Sequence, residues 1–428
     1  MNQTGLGTLS LLRLSQKLLP AGTWHGHPAR DPSMGGTPMP RAHLPNILAA
    51  GTWHGHPARD PSMGGTPMPR AHLPNTLQGY CKSLALLMLA LLLLASPAWL
   101  RADDEVSRDE RIDRSIRRGL AFISRGQTET GTFDSHPARN YTGIPALCGM
   151  AFLAVGDVPG PTPNGALLER IIDHLLERAR DDGYLGTNGG KMYSHCISTL
   201  FLCEVSGMVD TNRQAKIDAL LPRAVRIILD AQAVKKSQQN QGGWRYEPNS
   251  TDSDMSCSGW ALMALRSARL NGAPVPDKAI DDAVGYLLRH HNTSTGTFGY
   301  QDPNSNAEKL TGAGLLCLEL CGRHGHPATL RAARYLGQNF TRLQNVDRRF
   351  YGMYYASQGL FQIGGEAWKD FSEWMYAYWI PRQAPDGHWD MGEDGCPYYQ
   401  TALVVLAFTV PYRQLPIYQR DETVDETE

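Results

Sequence analysis

Two carboxylates with the potential for acid chemistry, Asp252 and Asp254, stand two residues apart at the start of an apolar segment; residues 252–268 read DSDMSCSGWALMALRSA. A carboxylic acid that faces an aromatic pocket can protonate an alkene, because aromatic faces stabilise the resulting carbocation by cation–π attraction. Aspartate is also a preferred helix N-cap, so at least one of the pair is expected to cap the helix that follows. Acid catalysis and capping therefore compete as interpretations of the same residues.

Metal binding and glycan cleavage are two alternative chemistries for these and neighbouring residues. Asp394 and Cys396 have Asp-x-Cys spacing, and His195 with Asp254 and Cys257 forms a second set of ligand types that zinc accepts. The spacing is loose, so buried cysteines and a hydrogen-bonded histidine are favoured, and neither a metal nor a cofactor is predicted. A glycosidase needs two facing carboxylates, which Asp252 or Asp254 could form with Glu308 or Asp394, although nothing in the sequence positions them.

The elements that would position these residues recur along the chain. From residue 105 onward, apolar-periodic segments end in a short turn that contains glycine and an aromatic residue, with glycines at 131, 183, 243, 296 and 387. Repeats of about fifty residues indicate one supersecondary unit stacked or closed into a ring. The aromatic residues Trp244, Phe298 and Trp389 are expected to anchor outer helices rather than to face a cavity.

Two kinds of helix alternate in this pattern. Amphipathic segments with a charged face span 109–124, 166–180, 213–233, 277–291, 327–340 and 367–383. More apolar segments span 143–155, 193–207, 254–270, 307–321, 351–363 and 397–410, and a helix that is apolar nearly all round is a buried helix. The sequence therefore predicts an all-α fold, an (α/α)6 toroid of six helix hairpins with inner and outer layers, over residues 103–415.

In such a toroid the N-termini of the inner helices meet at one mouth of the central cavity. Lys191, Lys309 and Tyr351 lie at these starts and are candidates for the mouth. The predicted substrate-binding residues are Tyr193, His195, Trp260, Glu308, Tyr354, Tyr355, Tyr398 and Tyr399. These candidates form a ring of aromatic groups with carboxylates and one histidine, and the ligand expected in the cavity is a hydrophobic small molecule, a peptide or a glycan.

The turns resemble the Gln-Trp repeats of squalene–hopene and oxidosqualene cyclases, and residues 105–413 resemble the prenyltransferase and squalene oxidase repeat family. Residues 252–256 are similar to the Asp-x-Asp-Asp-Thr motif of class II terpene cyclases, with Met255 where the motif has its third aspartate. Segments 350–368 and 398–418 look like single-toroid proteins of planctomycete-type bacteria. The resemblance implies a terpene cyclase-like isomerase with Asp254 as the acid and Asp252 beside it, acting on an isoprenoid without a cofactor. It also differs from class II cyclases, which use two helical domains.

The first hundred residues do not follow the helical pattern. Residues 21–46 are repeated without change as 50–75 and are rich in Pro, Gly and His, so residues 1–80 are expected to be disordered. Lys82 and the apolar run 84–95 follow the plan of a signal peptide, so 81–102 is expected to be cleaved or kept as a membrane anchor. Export to the periplasm or cell envelope follows, and 416–428 is expected to be an acidic tail.

The charge composition excludes one class of binding partner. With 41 Lys and Arg against 42 Asp and Glu and no basic stripe, the chain is not expected to bind nucleic acid. The sequence thus predicts acid-initiated cyclisation of an isoprenoid, and the alternative is a non-catalytic exported toroid that binds a peptide, glycan or lipid in its cavity.

Overall fold

A computed structural model describes residues 107–134, 140–390, 392 and 396–419. This part of the chain contains twelve α-helices, two isolated β-bridges and no β-strand. The helices are α1 Arg108–Gly126, α2 Gly143–Leu153, α3 Pro163–Arg178, α4 Lys191–Val205, α5 Thr211–Ala233, α6 Met255–Leu270, α7 Asp277–Arg289, α8 Ala307–Leu320, α9 Pro327–Asn339, α10 Arg349–Ile363, α11 Gly365–Trp379 and α12 Pro397–Phe408.

The even-numbered helices form a closed inner ring. Each packs on the next, from α2 through α4, α6, α8 and α10 to α12, and α12 packs on α2. The odd-numbered helices form the outer layer: α1 packs on α12, and α3, α5, α7, α9 and α11 each pack on the preceding inner helix. The predicted all-α toroid of six hairpins is confirmed.

Burial of the side chains separates the two layers. Every residue of α2 is buried, whereas α1 buries one face through Ile112, Ile116, Leu120 and Ile123. Because an outer helix meets water on one side, it needs a charged stripe, and an inner helix has no such side. The helix bounds agree with the predicted segments to within a few residues.

Each of the five repeat turns follows an outer helix and packs against the next outer helix in the ring. Gly387 has φ +104°, and a Cβ at this position would collide with the carbonyl oxygen of Arg118 in α1. The preceding Gln383 donates from Nε2 to the carbonyl oxygens of Gly387, at 2.8 Å, and of Ser115 in α1, at 2.9 Å. Glycine is thus required both for the backbone conformation and for the close approach of neighbouring outer helices. In the third copy the glycine with positive φ is Gly242, the residue before Gly243.

A C-terminal segment lies against the C-terminal half of the inner helices. The 3₁₀ turn Pro416–Tyr418 packs on α6. The amide of Ile417 donates to Glu204 Oε2 at 3.2 Å, and the hydroxyl oxygens of Tyr354 and Tyr418 are 2.5 Å apart. Residues 416–419, assigned to a tail from the sequence, therefore belong to the folded domain.

Several sequence predictions lie outside the described residues: the disorder of 1–80, the signal peptide or anchor at 81–102, the acidic tail from 420 and the ligand type at Asp394. In the part of the chain that the structure describes, no helix is both long and apolar enough to span a membrane.

Candidate functional site

A cavity of about 600 Å³ lies at the N-terminal end of the inner ring. All six inner helices contribute to its wall near their first turns, through Ile144, Tyr193, Ser256, Lys309, Tyr351 and Tyr399. Loops between the hairpins supply further residues, including Tyr141, Tyr246 and Tyr300. The cavity is therefore mainly apolar and aromatic, with hydroxyl groups distributed around it.

Asp254 is fully buried and caps α6. Its Oδ1 accepts from the amide of Cys257 at 2.8 Å and from the hydroxyl of Ser256 at 2.6 Å. Its Oδ2 has no hydrogen-bond partner among the described residues and faces Nε of Arg245 at 3.4 Å. The carboxyl group does not line the cavity, but Ser256, to which it is bonded, does.

Burial raises the pKa of Asp254 above its ordinary value. Its hydrogen bonds to Ser256 and Cys257 and the charge of Arg245 act in the opposite direction, but burial outweighs them. Among the described lining residues there is no Asp or Glu, so a pair of carboxylates facing each other across this cavity, as in a glycosidase, is not formed by them. Asp254 contacts the cavity wall through its hydrogen bond to Ser256.

Tyrosines form one side of the wall next to Ser256. The hydroxyl of Tyr193 is hydrogen-bonded to that of Ser256, and the Tyr193 ring lies 5.8 Å from the ring of Tyr246. The hydroxyls of Tyr246 and Tyr300 are 2.5 Å apart, and the guanidinium of Arg245 lies over the Tyr246 ring at 4.5 Å. Arg245 thus holds the tyrosine array on one side and Asp254 on the other.

Trp260 lines the cavity deeper along α6, and two of the predicted tyrosines lie behind it. The ring centroid of Trp260 is 5.6 Å from that of Tyr354 and 5.4 Å from that of Tyr355. Both tyrosines are fully buried and neither is part of the wall. They support the indole rather than contact a ligand in the cavity.

Of the predicted substrate-binding residues, Tyr193, Trp260 and Tyr399 line the cavity, and the others do not. His195 is buried; its Nδ1 accepts from the amide of Leu185 at 3.1 Å, so its Nε2 donates to the carbonyl of Ala224 at 3.0 Å. Burial lowers the pKa of His195 to about 4. The imidazole is neutral and holds a repeat turn against an outer helix.

The remaining predicted residues have partners away from the cavity. Tyr398 stacks on Phe122 of α1 at 5.0 Å. Glu308 lies in a polar groove beside the cavity and pairs with Arg342 at 3.5 Å. Asp252 is 48% exposed and pairs with Arg245 at 3.4 Å.

The charged side chains among the described lining residues are cationic: Lys191, Lys309 and Arg348. Lys191 pairs with Glu247 at 3.0 Å, and Lys309 pairs with Asp347 at 2.7 Å. These pairs place positive groups at the cavity and their acidic partners outside its wall.

Sequence reasoning missed Tyr141, Tyr246, Tyr300, Ser256 and Arg348. A signal was present for two of them: Tyr246 follows the repeat aromatic Trp244 by two residues, and Tyr300 follows Phe298 by two. No comparable pattern marks the other three.

No group of three or more His, Cys, Asp or Glu side chains suited to a metal ion occurs among the described residues. Of the ligand types considered from the sequence, His195 uses both ring nitrogens in hydrogen bonds to backbone, and Asp394 lies outside the described residues. The seven described cysteines are buried, and no disulfide joins them.

No family model matches the chain, and no curated protein matches it. Among solved structures, an Arg-to-Ala variant of the type II terpene cyclase MstE from Scytonema, in complex with geranylgeranyl dihydroxybenzoate, aligns at 13% identity and a TM-score of 0.48 over 72% of this chain and 99% of that one. A protein from Actinoplanes aligns at 17% identity and a TM-score of 0.46 over 70% and 99% of the two chains. An Asp-to-Asn variant of MstE with the same substrate aligns at 14% identity and a TM-score of 0.46 over 71% and 97%. At these values the likenesses are too low to transfer a function.

Proposed function

We propose that this protein binds an isoprenoid in its central cavity and initiates cyclisation with a proton from Asp254. The observation that carries the proposal is a fully buried carboxyl group bonded to a hydroxyl of an aromatic cavity wall. Burial favours the neutral acid, which holds a transferable proton. Aromatic faces such as that of Trp260 can stabilise a cation formed in the cavity.

The test compares turnover of squalene and shorter polyprenes by wild type and Asp254→Asn, with analysis of cyclic products. The amide keeps the shape and an oxygen for the amide of Cys257, but it lacks the acidic proton. We expect product from wild type and a loss of at least about 100-fold in the variant, the range for removal of a general acid. Asp210→Asn, which alters a carboxylate N-cap on the outer helix α5, should retain wild-type turnover. Equal turnover by wild type and Asp254→Asn would reject the acid.

A second candidate function is non-catalytic binding of a lipid with an anionic head group. Asp254 already caps α6 and pairs with Arg245, which is a sufficient structural role, and the charged lining residues are cationic. In this case an acidic isoprenoid should bind more tightly than its neutral alcohol, and Lys191→Gln with Lys309→Gln should remove the difference. Quenching of the tryptophan fluorescence of the protein would measure binding, and cyclic product from any polyprene would reject this candidate.

We further propose that the chain is an exported, single-toroid member of the prenyltransferase and squalene oxidase repeat proteins of planctomycete type. Support comes from the signal-peptide plan of residues 81–102 and from the sequence patterns at 252–256, 350–368 and 398–418. Fractionation of cells that express the full chain, with N-terminal sequencing of the product, tests export. Recovery of uncleaved protein in the cytosol would reject it.

A further inference from the structure

We propose that the proton of Asp254 reaches a ligand through a two-hydroxyl relay, Ser256 and then Tyr193, and that Tyr193 is the group that touches the reacting double bond. This inference rests on the proposed function and specifies its chemistry. It departs from direct contact between the acid and its substrate.

The first reason is the position of the acid. Asp254 is 0% exposed and is not part of the cavity wall, whereas Ser256 and Tyr193 both line it. A general acid must lie within hydrogen-bonding reach of the group that it protonates, either directly or through a bridging hydroxyl or water. Asp254 meets this condition through Ser256.

The second reason is the continuity of the hydrogen bonds. Oδ1 of Asp254 is 2.6 Å from Oγ of Ser256, and the Ser256 hydroxyl is bonded in turn to the hydroxyl of Tyr193. Oδ2 faces the Nε–H of Arg245, whereas Oδ1 faces the Ser256 hydroxyl, which can accept a proton from the neutral acid as well as donate one to the carboxylate. A proton carried on Oδ1 is therefore the one that faces the relay.

The transfer balances without any further reactant. The Oδ1–H proton moves to Ser256 Oγ, the proton of Ser256 moves to the oxygen of Tyr193, and the Tyr193 proton forms the new C–H bond with the alkene π electrons. Asp254 is left as the carboxylate, both hydroxyls are restored, and the ligand becomes a carbocation. Afterwards Tyr193 donates to Ser256 and Ser256 donates to Asp254, which is the orientation that an ionised carboxylate requires.

Arg245 fits both stages of the relay. At 3.4 Å from Oδ2, its charge stabilises the carboxylate that forms. The same guanidinium lies over Tyr246, next to the Tyr193 ring, and so holds the second hydroxyl in register with the first.

Three variants test the relay in turnover assays with a polyprene that wild type cyclises. Tyr193→Phe keeps the ring but removes the terminal hydroxyl, and Ser256→Ala removes the bridge; each should lose at least about 100-fold in turnover. Ser256→Thr keeps a hydroxyl and should recover most of the activity. The control is Ser198→Ala on α4, whose buried hydroxyl has no hydrogen-bond partner among the described residues and which should leave turnover unchanged.

A readout that a structural role would not move is the solvent deuterium dependence of the wild-type rate. If several protons move in the relay, a plot of rate against the deuterium fraction of the solvent curves below the straight line that joins its end points. Direct transfer of one proton from Asp254 predicts the straight line. Ligand binding, measured by quenching of the tryptophan fluorescence of the protein, should be unchanged in Tyr193→Phe and Ser256→Ala.

The outcomes separate the relay from the function on which it rests. Full turnover by Ser256→Ala or Tyr193→Phe, with Asp254→Asn inactive, would overturn the relay and leave the acid in place. A linear deuterium dependence would do the same. Absence of cyclic product from wild type with every polyprene would overturn the relay and the proposed function together.

Discussion

Single residues at this site differ in the contacts that their polar atoms make. Asp254 closes the first turn of α6 and is also bonded to the cavity wall. His195, in contrast, has its two nitrogens occupied by a repeat turn and an outer helix. The two groups differ in their contact with the cavity: the carboxyl group is hydrogen-bonded to a residue of the wall, and the imidazole is not.

At this scale Trp389 should be an anchor of stability and not of ligand binding. It is 0% exposed, and its indole nitrogen donates to the carbonyl of Trp379 at 2.9 Å. Trp389→Ala should lower the free energy of unfolding by about 3–5 kcal/mol, the range for truncation of a buried aromatic residue. Urea denaturation measures the loss.

The half-buried Trp368 provides the matched control. It contacts Phe361 at the surface of the ring of helices, so Trp368→Ala should cost clearly less. Equal losses in the two variants, or a Trp389→Ala protein of wild-type stability that fails to bind ligand, would contradict the anchor role.

At the scale of elements, the repeat turn fixes the spacing between neighbouring outer helices. Gly387→Ala should be strongly destabilising, because the new Cβ meets the Arg118 carbonyl and the φ of +104° is unfavourable for alanine. The positive φ alone costs about 1–3 kcal/mol, and the collision adds to it. Thermal or urea unfolding would measure the change.

Gly272 separates the two costs. Its φ is +82°, and nothing lies within 4 Å of an added Cβ, so Gly272→Ala carries only the conformational part. A Gly387→Ala protein no less stable than Gly272→Ala would show that the close approach of α1 to this turn is not required.

The helices and their layers were predictable because burial leaves a direct mark on composition. The observed helix ends differ from the predicted ones where another local structure replaces the helix, as at the end of α11. The predicted segment ran to residue 383, but the helix stops at Trp379 and Ile380–Arg382 forms a 3₁₀ turn. Pro381 lies inside that turn, where it needs no helical hydrogen bond.

The cavity wall was only partly predictable, because an inner helix is apolar on every side. Tyr399 lines the cavity while its neighbour Tyr398 stacks on Phe122, and composition does not distinguish the two directions. The distance of a residue from the cavity is equally hard to predict from composition. Tyr355 lies one turn beyond Tyr351, but Trp260 of another helix lies between Tyr355 and the cavity. Which tyrosine reaches a ligand depends on contacts between hairpins that no local pattern records.

For the whole molecule, closure of the ring is the main constraint. α1 packs on α12, and α12 packs on α2, so the first and last hairpins complete one another within residues 107–419. We therefore expect a chain that starts at Asp103 to melt at the same temperature as the full chain. A fall of several degrees, or aggregation of the shorter chain, would show that residues 1–102 contribute to the fold.

The stability of the packed C-terminal segment is expected to depend on pH, because its contact Glu204 is a buried titratable group. The side chain is 1% exposed, Ser267 donates to its Oε1 at 2.5 Å, and the amide of Ile417 donates to Oε2. Burial raises the pKa of Glu204 from 4.5 to about 7. The folded protein therefore binds more protons than the unfolded chain between these values.

Stability contributed by Glu204 is accordingly complete below about pH 4.5 and is lost as pH rises towards 7. The loss is bounded at about 1.4 kcal/mol for each unit by which the pKa is raised. Glu204→Gln keeps the shape and does not titrate: its amide oxygen can accept from the amide of Ile417, and its NH2 can donate to Ser267 Oγ once that hydroxyl turns. Wild type should thus lose stability relative to Glu204→Gln between pH 5 and pH 8, measured by urea unfolding at each pH. If the difference between the two proteins is the same at both pH values, Glu204 is not the group that links the C-terminal segment to pH.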